Sequence, residues 1–302
     1  MATIGWIGLG NMGKPMTKNL VAAGHTVRGY DLNSQAVAEA EAGGVTACGS
    51  IAEAVDGAEA VFTMLPKGEH ARSVYLDAGG VFETASTEAL LVDSSTIDVE
   101  SAQALHEAAE KSGFAFVDAP VSGGISGAAA GTLTFMLGGS EADAERAKAY
   151  IDPMAGNIFY AGAGGLGQAA KIVNNMMLAI SLEGAAEGAV LARKLGLDAQ
   201  TFWDIAHVSS GDSWPLRTWY PVPGVVETAA ANKGFDATFS AMLAHKDVGL
   251  ALAGAESVGV ELPAAQVAYS SLQKLVDDGY ADKDCSLIIR NIDPEAPGVP
   301  QE

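Results

Sequence analysis

The sequence predicts an α/β chain: a doubly wound parallel sheet followed by an all-helical segment, the two joined by one long helix. Three observations predict it. Short apolar runs alternate with helical stretches through the first half, the rhythm of parallel strands with helical crossovers. The first of those runs opens directly into a glycine-rich turn and a helix. Beyond residue 167 the chain carries no further strand pattern, and nothing between Gly167 and Leu195 stops a helix.

Each element has its own signal. Residues 3–7 form an apolar strand, followed at once by Gly8-Leu9-Gly10-Asn11-Met12-Gly13 and then by a helical run. A second strand ends in Asp31, 18 residues after Gly13. This is the Rossmann-type dinucleotide fingerprint in its full context. The first glycine makes the tight turn, the second lets backbone approach a pyrophosphate, and the third lets helix pack on strand. The helix N-terminus takes the phosphates and the acid takes the ribose hydroxyls. A carboxylate at Asp31 repels a 2′-phosphate, and Leu32, Asn33 and Ser34 supply no arginine for one, so NAD is expected over NADP. Arg28 is close in sequence but should point away at mid-strand.

Further strands are expected over 60–66, 89–96, 114–118, 132–137 and 158–160, with a helix over 99–112. Ligands in such sheets bind beyond the carboxyl ends of the strands. Those ends are the 8–13 loop, Asp31, Leu65-Pro66, Thr96 and Ser122-Gly123-Gly124, with His70 just past Pro66 and near the expected cofactor.

Residues 162–167 also read GxGxxG, but no strand ending in an acid follows. A second nucleotide site is therefore rejected, and these glycines are expected to let substrate or a neighbouring backbone come close. The helix that follows would run ~45 Å at 1.5 Å per residue. It is apolar nearly all round, so it should be buried, although Gly184 and Gly188 weaken it. Lys171 and Asn175, four apart near its start, share a face. Such a lysine is either a snorkelling stem or a working amine. Burial disfavours the charged amine, so a working Lys171 would take a proton from an alcohol and return it to a carbonyl.

Past Leu195, helices are expected over 199–210, 239–258 and 264–278. The irregular stretch 211–224 between them, with Trp214, Trp219 and Tyr220, reads equally as an aromatic cap on a core or as a pocket wall. The tail after Asp293 is rich in Pro and Gly and is expected to fray. The domains predicted are 1–163 and 164–302. His25 and His106 fall at no strand end and are expected on the solvated surface.

Composition limits the partners. A formal charge of −20 argues against nucleic acid and anionic membranes, and it obliges any site for an anion to carry its own cations. Two distant cysteines make neither a disulfide framework nor a metal site, which suits a reduced, cytoplasmic protein. No signal peptide, membrane span or metal is expected.

Four motifs stand in order: Gly8-Leu-Gly-Asn-Met-Gly-Lys-Pro-Met, Asp118-Ala-Pro-Val-Ser-Gly-Gly, Gly164-Gly-Leu-Gly-Gln-Ala-Ala-Lys-Ile-Val-Asn-Asn and Lys246-Asp247. Together they resemble the β-hydroxyacid dehydrogenases, most like the 3-hydroxyisobutyrate dehydrogenases of branched-chain amino acid (valine) breakdown. The resemblance covers nearly the whole chain. It implies Lys171 as general acid/base, with Asn175 on the substrate. It also implies Ser122, Gly123 and Gly124 as the carboxylate cradle, Thr96 and Lys246 on the cofactor, and Asp247 in the site. Trp214, Trp219 and Tyr220 would shape the pocket for the group at C2. Taken alone, Lys246 reads as a solvated helix lysine and residues 122–124 as a plain turn. The asparagine usual before Pro-Val-Pro-Gly is Tyr220 here, which leaves serine and other 3-hydroxy acids open as substrates. A glyoxylate or semialdehyde reductase and a non-catalytic dinucleotide sensor are the alternatives. A homodimer or homotetramer is expected, because a long apolar helix packs well on its own copy.

Overall fold

The computed structural model describes residues 1–299, and the last three lie outside the described residues. The first unit is built on nine strands: β1 (Thr3–Ile7), β2 (Thr26–Tyr30), β3 (Thr46–Ala47), β4 (Ala60–Thr63), β5 (Leu90–Asp93), β6 (Ala115–Asp118), β7 (Val121–Ser122), β8 (Leu133–Gly138) and β9 (Ala155–Gly162). They lie in the order β3-β2-β1-β4-β5-β6-β8-β7, with β9 paired to β8. From β3 through β6 every pairing is parallel, and the order 3-2-1-4-5-6 is that of a dinucleotide-binding sheet. β8 runs antiparallel to β6 and β7. The two-residue strands β3 and β7 are too short for any period to show in the sequence.

Alternation along the strands divides the core. Ile4, Trp6, Phe62, Leu90, Val92 and Val117 enter one apolar cluster, whereas Ile7, Val61, Leu91 and Phe116 enter the other. Residues one apart on a strand face opposite sides, so helices must cover both faces of this sheet. Strands that read as unbroken apolar runs are the consequence.

The long helix spans Leu166–Lys194. The chain divides into compact units inside it, Met1–Lys171 and Ile172 onward. Its first turn is tied to the sheet: the Gln168 side chain accepts from the Ile97 amide (3.1 Å) and donates to the Ser95 carbonyl (2.7 Å). The expectation of burial nearly all round needs correction. Val173, Met177 and Leu191 are 50–60% exposed, one stripe of the helix surface, while Leu182, Ala186 and Ala189 face the core.

The second unit packs Ala199–Ala206, Trp214–Thr218, Ala241–Ser257 and Pro263–Asp277 around one core that includes Tyr220, Phe235, Leu272 and Leu275. The helix expected from residue 239 begins at Ala241, because the Ser240 hydroxyl caps the Leu243 amide. The irregular stretch contains one short helix, started by Ser213 as cap and Pro215 in the first turn. The tail does not fray as expected where it is described. Ala296 and Val299 bury in the core, and Asp293 receives Arg193 and Lys194. Among the described residues no helix is long and apolar enough to cross a membrane, and no group of three or more His, Cys, Asp or Glu could hold a metal.

Candidate active site

The glycine-rich loop leaves β1 with Gly8 at φ +99°, where an added Cβ would stand 2.2 Å from the Met64 carbonyl oxygen. At Gly13 a Cβ would stand 2.0 Å from the Gly8 oxygen. Around Gly10 a Cβ would meet nothing within 4 Å. Gly8 and Gly13 are thus required by the protein's own packing, and Gly10 presents bare backbone to open space, which fits a pyrophosphate. Trp6 braces the turn from below, its indole N–H on the Gly8 carbonyl at 2.8 Å and its ring stacked on Phe62. Leu9 is buried, while Asn11 is exposed. Met12 is the half-buried N-cap of the helix Gly13–Ala22.

Asp31 stands beside this loop. Its carboxylate accepts the Leu9 amide (2.7 Å) and the Asn33 amide (2.7 Å). Arg28 turns away, its Nε on the Glu53 carbonyl at 2.9 Å. At the end of β4 the Leu65 amide donates to Ser95 Oγ (2.8 Å), and that hydroxyl donates to Asp93 Oδ1 (2.5 Å). Thr63 donates to the same oxygen at 2.7 Å. Burial holds the Asp93 carboxyl above the usual carboxylate range, against the opposing hydrogen bonds. This knot fixes the ends of β4 and β5, where Leu65, Pro66 and half-buried Thr96 follow. His70 lies exposed just beyond them, 3.9 Å from Glu69.

Ser122 ends β7, half-buried, and Gly123 and Gly124 are exposed with φ of +134° and +64°. Side chains rarely adopt either conformation, so the turn requires both glycines.

On the long helix Lys171 is 7% exposed and Asn175, one turn on, is 5% exposed. The Asn175 Nδ2 donates to Asp247 Oδ2 at 2.6 Å, and its Oδ1 accepts from Asn174 at 3.1 Å. Asp247 is itself buried, with Lys246 Nζ 3.3 Å from its other oxygen. In the second unit Asn175 and Asp247 line a narrow, mostly apolar pocket with Trp219, Phe239, Glu183 and Cys285 among its walls. Trp219 stacks on Phe239 (6.0 Å between centroids) and meets half-exposed Trp214 edge-on at 4.8 Å.

Three expectations are corrected here. Tyr220 does not line the pocket: it is 0% exposed inside the helical core, and burial pushes its phenol up to about 12. His106 is not on a solvated face, because its ring reaches buried Asp118 at 2.7 Å. His25 is half-buried, and desolvation holds its imidazole below its ordinary range. Phe239 escaped sequence reading. Its signal is the residue just before a serine cap, where a large apolar side chain turns inward. Asp284, far along the chain, takes the Thr238 and Phe239 amides and so anchors that ring, a link no local pattern carries.

The glycines at 162–167 resolve in favour of neighbouring protein. A Cβ at Gly164 would stand 2.5 Å from the His106 ring, and at Gly165 2.8 Å from Gln103 Cγ. At Gly167 it would stand 2.4 Å from the Met136 oxygen.

The chain is similar to known families and proteins over nearly its whole length. Residues 3–162 match the family described as the NAD binding domain of 6-phosphogluconate dehydrogenase. Residues 165–292 match that described as "NAD-binding of NADP-dependent 3-hydroxyisobutyrate dehydrogenase". A probable 3-hydroxyisobutyrate dehydrogenase of Mycobacterium tuberculosis is 46% identical over 97% of this chain and 98% of its own length. The NAD-dependent L-serine dehydrogenase of Pseudomonas aeruginosa is 42% identical over 97% of this chain and 99% of its own. The solved M. tuberculosis 3-hydroxyisobutyrate dehydrogenase with L-serine superposes with a TM-score of 0.92, at 46% identity, covering 97% of this chain and 99% of that one. Matched in both halves and over nearly its whole length, the chain belongs to the β-hydroxyacid dehydrogenase family, as an NAD-dependent 3-hydroxyacid dehydrogenase of the 3-hydroxyisobutyrate dehydrogenase type.

Proposed function

We propose that this enzyme oxidises the primary alcohol of 3-hydroxyisobutyrate to methylmalonate semialdehyde, the chemistry its relatives' names describe. The observation that carries the reading is buried Lys171 in the opening turns of the long helix, with Asn175 one turn on and clamped by Asp247. NAD, when bound, supplies the carbon that accepts the hydride. Lys171 takes the hydroxyl proton as the C–H electron pair leaves, and returns it in the reverse direction. Asn175, its amide orientation set by Asp247, holds the hydroxyl. Ser122, Gly123 and Gly124 hold the carboxylate, with exposed backbone and no bulky side chain in the way. Lys246 supplies local positive charge for an anionic substrate on a protein of net −20, and Lys171 adds its own once it has taken the proton.

On the cofactor side, residues 8–13 take the pyrophosphate and Asp31 the ribose. Leu65, Pro66, His70, Thr96 and Lys246 complete the contacts. Asp31 together with the diverted Arg28 supports NAD over NADP, which the ratio of kcat/KM for the two cofactors measures. Trp214, Trp219 and Phe239 shape selection at C2. A methyl in an apolar pocket discriminates by only ~1–3 kcal/mol, so short relatives of the substrate are accepted as well. L-serine is the second reading, favoured by the serine-bound relative at 46% identity.

The decisive experiment is Lys171→Ala. Turnover on 3-hydroxyisobutyrate is expected to fall about 10³-fold, within the usual range for losing an acid/base group, while NADH affinity stays within about twofold. Near-normal turnover rejects the assignment. An oxidation screen of short hydroxy acids, followed by reduced-cofactor absorbance, ranks 3-hydroxyisobutyrate against L-serine. The reading carries a place in valine breakdown. Two free, buried cysteines suit the reducing cytoplasm. The exposed Val173, Met177 and Leu191 stripe supports a homodimer or homotetramer built on the long helix.

A further inference from the structure

The second glycine-rich run and Asp118 are left without a role by the reaction as described, and they meet at one point. Asp118 ends β6 with its side chain 0% exposed. Its Oδ1 accepts the Gly165 amide (2.8 Å) and the His106 Nε2–H (2.7 Å), and its Oδ2 accepts the Gln168 amide (2.9 Å). Gly165 and Gln168 flank the first turn of the long helix, whose opening amides have no partner inside the helix. Gly165 has no side chain to cap them. Asp118 caps them instead, from 47 residues upstream, with its carboxyl at the positive end of the helix dipole.

The surroundings are built around that carboxylate. A Cβ at Gly138 would stand 2.4 Å from Asp118 Oδ1, and one at Gly167 2.7 Å from Oδ2. The His106 ring, held against Asp118, fills the place of a Cβ at Gly164. The same turn carries the Gln168 tie to Ser95 and Ile97 at the end of β5. Lys171 is three residues beyond Gln168, less than one helical turn. Two amide bonds to the cap and the Gln168 side-chain tie fix both the depth and the rotation of that turn. Catalytic groups tolerate only ~0.5 Å and ~10–20° of error.

We propose that Asp118, braced by His106, is the positioning residue that sets Lys171 for proton transfer, and that the glycines at 138 and 164 exist to admit this pair, while Gly167 makes room for Asp118 and the Met136 carbonyl together. The inference rests on Lys171 being the acid/base group.

The test is a double-mutant cycle at a temperature well below unfolding, with Asp118→Asn, Lys171→Ala and the double variant. Asp118→Asn keeps the shape but turns an amide N–H₂ toward one of its donors. Its kcat is expected to fall about 10–100-fold, the usual cost of disturbing such a supporting contact. KM for the hydroxy acid and Kd for NADH are expected within about threefold, and the deuterium isotope effect on kcat should rise as proton and hydride transfer become limiting. In the Lys171→Ala background the same change should cost nothing further. Full additivity overturns the positioning role while leaving Lys171 in place. A near-normal Lys171→Ala overturns the reading beneath both. If Asp118→Asn does not fold, His106→Ala runs the same cycle with both amide bonds to Asp118 kept. Its loss of kcat should be partly recovered by His106→Gln, which restores a donor. Loss of melting temperature with unchanged kcat in His106→Ala would mean a purely structural brace and sink the proposal.

Discussion

Burial pushes the carboxyl of Glu183, on the long helix, from 4.5 up to about 7, helped by the charge of Glu187 and opposed by a hydrogen bond from Ser271. A carboxyl whose folded value lies above its unfolded one binds its proton more tightly in the folded state. Its contribution to stability is therefore complete below about 4.5 and is lost as the pH climbs through about 7. Glu183→Gln removes the loss. It is expected to raise unfolding free energy at pH 8.5 by about 2 kcal/mol and to change little at pH 4.5, as urea midpoints at the two pH values will show. A variant no more stable at pH 8.5 rejects a buried, uncompensated Glu183. Residues differ in how far sequence exposes such roles. Lys171 and Asn175 are legible because four-residue spacing is a local property of helices. The places of Tyr220 and His106 are not legible in the sequence, because which of two adjacent aromatics turns inward, and what lies against a helix face, depends on distant chain. The Asp118 partner of His106 is on the next strand, and the Asp284 anchor of Phe239 is 45 residues away.

At the scale of elements, the first strand-turn-helix unit divides its glycines between fold and ligand, and the division can be measured. Gly13→Ala places a methyl against the Gly8 oxygen and should lower stability by about 1–3 kcal/mol, read as a fall in melting temperature. Gly10→Ala meets open space, so the melting temperature should hold while NADH affinity drops about tenfold or more in a fluorescence titration. If both variants lose stability alike, Gly10 is not reserved for a ligand. The second glycine run has the same spelling and the opposite use, since its missing side chains are replaced by His106, Gln103 and the Met136 carbonyl. The motif states that something approaches closely. Only the surroundings say what.

For the whole molecule, the exposed stripe of the long helix is the feature most at odds with a single chain in water. Met177→Glu places a charge on it without touching the core, where Met177 is 60% exposed. On the proposed assembly through the long helix, sedimentation is expected to show dissociation at micromolar protein, about 100-fold weaker self-association than in the parent chain, with the far-ultraviolet spectrum retained. An unchanged assembly places the interface elsewhere. The sequence by itself determined the order of the longer strands and of the long helix, the dinucleotide fingerprint with its acid, and the lysine on that helix. Those are set by spacing of two, three or four residues and by single glycines in fixed positions, all local. Tertiary structure alone decided that β8 turns antiparallel, that the helix start is capped by Asp118, and that Phe239 rather than Tyr220 joins Trp219 on the pocket. Each depends on groups tens of residues apart being buried together, where an unpaired amide or carboxylate costs ~1–3 kcal/mol and a partner must be found wherever the fold brings one.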